Sequence, residues 1–382
     1  MKIKKTILTA AILMAAVSLP AQNKSAGINI SIWKDICTQP HDSTQTTYIN
    51  IGLLSTMNRL NGVGNNALGS VVHGDMNGVQ ITGLANLAGG TMRGVQLAGI
   101  SNISGDNTVG LSAAGLVNIT GDKAQGVVIS GLTSIGGDNN SGLMISGFMN
   151  VTGNMASGLH FSGVANITGQ SFGGLMASGL LNVVGEHMNG LQIAGIANIT
   201  ASKLNGVQVA LCNYATKARG LQIGLVNYYK EDMKGFQLGL VNANPDTKVQ
   251  MMVYGGNATP ANIGVRFKNQ LFYTILGVGS MYQGLNNKFS ASASYRAGLS
   301  FPLYKGLSIS GDLGYQHIEA FDNKDEVIPK RLYALQARAN LEYQFTKKFG
   351  IFATGGYGLT RFYNKSSNYD KGAIIEAGIV LF

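Results

Sequence analysis

The stretch GVQITGLANLAGGTMR, residues 78–93, is followed by GVQLAGISNISGDNTV, residues 94–109, and the frame then repeats without slipping. Gly62, Gly78, Gly94, Gly110, Gly126, Gly142, Gly158, Gly174, Gly190 and Gly206 stand sixteen residues apart throughout. A second glycine falls five residues on, as at Gly83 and Gly99, and a third eleven on, as at Gly89 and Gly105. Glycine turns a chain through positive φ without steric cost, so Gly78, Gly83, Gly89, Gly94, Gly99 and Gly105 read as the corners of a three-sided coil. A fixed period this short points to a β-solenoid with sides of about 16 Å and a rise of about 4.8 Å per coil.

Counting from each leading glycine, apolar residues recur at offsets 1 and 3 (Val79 and Ile81), 6 (Leu84, Ile100, Leu116, Leu180) and 9 (Leu87, Ile103, Ile119). The third side is polar, except that Met76, Met92, Ala124, Phe172, Met188 and Leu204 stand two residues before the next glycine. Asn86, Asn102, Asn118, Asn150, Asn166, Asn182 and Asn198 share offset 8, with Ser134 the exception. Stacked in register they form an amide ladder. Turn chemistry is an equally good reading of asparagine at a corner. Gln80, Gln96, Gln192 and Gln208 at offset 2 are expected on the outer surface, where they would meet a partner.

Outward from the repeats, residues 1–21 read as a secretory signal: Lys2, Lys4 and Lys5, then an apolar run from Ile7 to Leu19 that is too short to span a bilayer. Residues 22–61 offer two strands, Gly27 to Trp33 and Tyr48 to Met57, as a cap on the first coil or a barrel hairpin. The chain of 382 residues holds 53 glycines, only 12% charged residues and a net charge of +10. That composition excludes an ordinary helical enzyme. Its two cysteines, Cys37 and Cys212, lie far apart and read as free thiols or one disulfide.

After Gly206 the step tightens to fourteen and then fifteen residues, in GLQIGLVN from Gly220 and GFQLGLVN from Gly235. These units resemble bacterial envelope and surface-repeat proteins built on GxQxGLxN, on the strength of Gly220, Gln222, Gly224, Leu225 and Asn227 and of Gly235, Gln237, Gly239, Leu240 and Asn242. Looser versions cover Gly78 to Asn198. The resemblance implies a Gram-negative envelope or surface location and no reaction. The repeat domain is expected over 62–248.

Residues 249–382 read as an antiparallel membrane β-barrel of about eight strands. In Leu332 to Phe345, Tyr333, Leu335, Ala337, Ala339, Leu341, Tyr343 and Phe345 share one face, and Gln336, Arg338, Asn340, Glu342 and Gln344 the other. Connections alternate short and long, as outer-membrane barrels require, and the short turns would put the repeats on the periplasmic side. Phe382, ending an apolar strand interrupted by Glu376, resembles the terminal signal that the barrel-assembly machinery reads. The alternative is one large β-barrel whose wall includes the repeats.

Chemistry is sparse. His41, His73, His160, His187 and His317 show no metal-ligand spacing. Asp106, Asp122 and Asp138 recur at sixteen-residue intervals but lack the calcium-roll signature, so aspartate in a turn is the simpler reading. No catalytic set, cofactor or metal is expected, nor a nucleic-acid partner. The chain thus reads as an outer-membrane structural or binding repeat protein, whose partners would be lipid and a cell-wall or surface glycan or protein. The alternative is a channel with the repeats in its wall.

Overall fold

The computed structural model describes residues 27–33, 36–39, 45–280, 282, 289–321, 331–363 and 368–381. The signal read at 1–21 and the terminal Phe382 lie outside them. The described residues form strands and turns and no α-helix. Contacts divide the chain into two compact units, Met1–Leu221 and Gln222–Phe382.

The first unit is a β-solenoid. A typical coil has a bent strand of seven or eight residues and a second of four, such as Met76–Thr82 with Ala85–Ala88 and Met92–Ala98 with Ser101–Ser104. Each strand pairs in parallel with its counterpart sixteen residues on, Gly78 against Gly94 and Asn86 against Asn102. Ile28–Trp33 pairs in parallel with Thr46–Met57, which pairs with Arg59–Val72, so the amino-terminal strands join the solenoid rather than the barrel.

The corners require glycine for two different reasons. Gly94 has φ +122°, a conformation closed to residues with a side chain. Gly99 and Gly105 lie outside that region, but a Cβ would come within 2.0 Å of the Gly83 oxygen and 2.1 Å of the Gly89 oxygen. Positive φ is therefore the reason at one corner of three. At the others it is glycine stacked on glycine.

The direction of the side chains reverses the expected surface. Offsets 2, 4, 8, 10 and 14 point inward, so Gln80, Asn86, Gln96, Asn102, Gln192 and Gln208 are fully buried beside Met76, Met92, Phe172, Met188 and Leu204. Offsets 1, 3, 6 and 9 point outward, and Ile81, Leu84, Ile100, Leu116, Leu132 and Ile135 are exposed. The glutamines are not a binding surface. Amides that stack coil on coil satisfy one another in that interior, which is why they can be buried there.

Because each coil contacts only its neighbours, deleting Gly126–Ser141 rejoins matching surfaces. The shortened chain is expected to fold with a melting temperature within a few degrees of the parent, whereas removal of eight residues should abolish the transition. Equal tolerance of both deletions in a thermal melt would refute the stacking.

The second unit contains a closed barrel of eight antiparallel strands, and the large barrel built from the repeats is thereby set aside. Its first three strands, Lys248–Gly256, Ala261–Asn269 and Phe272–Ser280, have nine residues each. The next four are Ser290–Tyr304, Leu307–Ala320, Arg331–Thr346 and Phe349–Phe362. Asn368–Leu381 closes the cylinder against the first strand, with Met252 opposite Val380. Tight turns fall at 270–271, 305–306 and 347–348, at one end of the cylinder, and the longer connections at the other.

The last coils belong to this unit. Val226–Leu238 pairs in parallel with Val241–Ala243. The barrel wall then binds that final turn: Asn269 Nδ2 donates to Asn242 O at 2.7 Å, Tyr295 OH to Gly239 O at 2.7 Å and Thr274 Oγ1 to Leu240 O at 3.2 Å. Thr274 lies between the inward Tyr273 and Ile275, so the turn rests on the outside of the wall.

Candidate functional site

The asparagines form a column inside the solenoid, in two runs. Asn86 Nδ2 donates to Asn102 Oδ1 at 2.9 Å, and Asn102 Nδ2 to Asn118 Oδ1 at 3.1 Å. The column resumes from Asn150 through Asn166, Asn182 and Asn198 to Asn213 at 2.8 to 3.1 Å. Ser134 interrupts it, and there Ser130, Ser134 and Ser146 bond one another before Ser146 Oγ donates to Asn150 Oδ1 at 2.6 Å. From Asn86 to Asn198 each of these asparagines also donates to a backbone carbonyl of the next coil, as Asn102 does to Ala113 O at 2.8 Å. The asparagines lie within strands at ordinary φ, so the ladder reading holds and the turn reading does not, and the same amides tie each coil to the backbone of the next. Glutamines stack likewise, Gln96 Nε2 on Gln80 Oε1 at 2.9 Å and Gln208 Nε2 on Gln192 Oε1 at 2.8 Å.

His160 occupies the glutamine position of its coil, in register with Met144 and Met176. It is buried, with its ring edge-on to Phe172 at 5.0 Å, and desolvation lowers its pKa from 6.5 to about 4. The unfolded chain binds a proton near pH 6.5 and the folded chain only near 4, so stability is lost as pH falls through that window. The full effect is about 3 kcal/mol. His160→Met, which copies the flanking coils, should remove it. In thermal melts at pH 7 and pH 4, the gap between parent and variant is expected to widen at the lower pH, and a constant gap would refute this role.

No group of three or more metal-ligating side chains occurs among the described residues. Asp106, Asp122 and Asp138 do stack at successive corners, joined through their backbones, with Asp122 N on Asp106 O at 2.8 Å and Asp138 N on Asp122 O at 2.8 Å. The Asp138 carboxylate accepts from the side-chain amides of Asn139 and Asn154. His73, His187 and His317 stay dispersed, and His41 lies outside the described residues. Cys37 and Cys212 do not form a disulfide, and the Cys37 thiol donates to Gln39 O at 2.9 Å.

The barrel bore is filled rather than open. Arg266 forks onto Glu342 at 2.5 and 2.9 Å near the tight-turn end. In mid-barrel, Arg296 forks onto Asp312 at 2.8 Å and Arg338 onto Glu376 at 3.1 Å. Tyr273 OH donates to Asp312 at 2.7 Å, and Asn340 Nδ2 to the same carboxylate at 2.8 Å. Met252, Tyr254, Ile275, Phe352 and Val380 pack beside these pairs. Tyr282, Ile318, Ala320, Leu332 and Ala334 close the long-loop end. Glu376, which breaks the apolar pattern of the last strand, thus points inward to a partner.

Outside, the wall carries two aromatic belts. Phe301, Tyr304, Tyr343, Phe345 and Phe349 ring the tight-turn end, and Phe289, Tyr315, Phe321, Tyr357 and Tyr363 the other. Within them Phe345 stacks on Phe349 at 5.9 Å, and Tyr333 meets Tyr363 at 5.1 Å. Between the belts lie Ile263, Val278, Leu313, Leu335, Leu341, Ile351 and Ile375, all exposed. Tyr333 and Tyr343 mark the belts on one strand, ten residues apart, which for a tilted strand is about 25 Å, the height of a hydrocarbon band.

No family model matches the chain, and no curated protein matches it. Among solved structures it is similar to the N-terminal β-barrel domain of Pseudomonas aeruginosa OprF, at 15% identity and a TM-score of 0.26, over 35% of this chain and 93% of that one. A likeness that slight carries no argument about function.

Proposed function

We propose that the chain is an outer-membrane protein whose barrel spans the lipid as a plugged anchor for a structural repeat array, with no catalytic role. The observation that carries this reading is the outer wall: an uncharged aliphatic band about 25 Å tall between two aromatic belts, over a bore occupied by ion pairs. Water-exposed barrels have no use for such a band. The filled bore favours an anchor over a channel, because eight strands leave room for side chains and little else.

Expressed from residue 1, the protein should fractionate with outer membranes and migrate faster in gels when unheated than after boiling. Recovery as a soluble species would overturn the reading. In planar bilayers the purified chain should conduct no ions, and a steady unitary conductance would instead favour the channel.

A further inference from the structure

Every Asp, Glu, Lys and Arg between Met76 and Leu204 falls at offsets 12 to 15 of its coil, on the third side. The other two sides carry no charge over this whole length. They meet at an edge formed by Leu84, Ile100, Leu116, Leu132, Phe148 and Leu180, all exposed. Two sides of about 16 Å over eight coils of about 4.8 Å present roughly 1,200 Å² of mostly apolar surface. Soluble monomers rarely leave more than a few hundred Å² of contiguous apolar surface bare.

We infer that this edge lies in one leaflet of a phospholipid membrane, with the solenoid axis along the surface and the charged third side turned to water. Three observations select lipid over a protein partner. First, the surface is convex: two flat sheets meet at a corner, and a protein would have to supply a matching cleft, whereas acyl chains flow around a wedge. Second, charge is confined to one side, which is the asymmetry of elements that lie in the interface rather than cross it. A crossing orientation would drag Arg93, Asp122 and Asp138 through hydrocarbon. Third, the coils of the second unit, taken by themselves, also expose Leu225, Leu238 and Leu240, and their last turn is bonded to the outer face of the barrel wall.

The inference goes beyond the anchoring role, and the two can fail separately. With Cys37 and Cys212 replaced by serine, the full chain would carry a nitroxide at Leu132→Cys on the edge, Asp122→Cys on the third side or Leu313→Cys on the barrel wall. Each variant would be reconstituted into vesicles of phosphatidylcholine and phosphatidylethanolamine. The Leu132 label should collide several-fold more with oxygen than with a water-soluble nickel complex, and the Asp122 label should show the reverse.

Equal access of the nickel complex to both labels would overturn the proposal. So would dipolar broadening between Leu132 labels of two copies, which would make a second chain the occupant. A lipid-exposed Leu313 with a wetted Leu132 defeats this inference alone, and the opposite result defeats only the anchor. Leu180→Cys provides a second edge site should the Leu132 variant fail to fold.

Discussion

Alanine in place of Gly94 is expected to break the solenoid at one coil and to cost more than about 4 kcal/mol, the range reserved for buried clashes and forbidden backbone. The backbone there sits at φ +122°, and the added methyl would meet the Gly78 oxygen at 2.0 Å. Neither problem can be relieved locally, because the carbonyl belongs to the coil beneath and is fixed by its own ladder. Gly105→Ala should be comparable although its φ is unrestricted, since its methyl would stand 2.1 Å from the Gly89 oxygen. Limited proteolysis of either variant should cut near the altered coil while the barrel stays intact. A variant as protease-resistant as the parent would show that the coils can part and reseal around a methyl.

Leucine in place of Glu376 should destabilise the barrel by about 3–5 kcal/mol, because it strips Arg338 of its buried partner. Arg338 Nε and Nη2 both donate to that carboxylate at 3.1 Å, and Arg296 Nη1 lies 3.6 Å from it. Removing the charge leaves two buried guanidinium groups without the carboxylate that lies between them. Arg338→Met combined with Glu376→Leu should recover most of the loss, as buried pairs replaced whole by apolar groups often do. The temperature at which the compact gel band gives way to the extended one measures this. Equal shifts for single and double variants would mean that the pair adds nothing beyond its separate charges.

The barrel was legible almost residue by residue, because a membrane strand states its parity in chemistry. Arg338, Asn340 and Glu342 alternate with Ala339, Leu341 and Tyr343, and only one arrangement turns the charges into the bore where they find partners. The solenoid's period and corners were equally plain, since glycine at an unbroken sixteen-residue spacing suits a stacked coil and little else. Its inside and outside were not. Alternation separates Gln80 and Thr82 from Val79 and Ile81 without saying which pair faces in, and the habit of placing apolar residues inside chose the wrong one. Two signals opposed that choice. The asparagines kept one offset through the array, which only a dry stack rewards, and the two sides carried no lysine or glutamate, which a watered face would have gathered. What remained beyond sequence was the crowding at Gly99 and Gly105, because contact between coils is invisible in a single unit.

The amide columns also bear on the electrostatics of the whole rod. Asn86, Asn166 and Asn182 donate to the next coil, toward the carboxyl end, whereas Gln96 and Gln208 donate to the preceding one. Where both columns are present their dipoles oppose, but from Ser112 to Met176 the glutamine position holds Ser112, Val128, Met144, His160 and Met176, and there the asparagine amides point one way unopposed. Adding coils of the middle kind would therefore lengthen a directional stack of amides, whereas adding coils that carry both asparagine and glutamine would add two opposed ones.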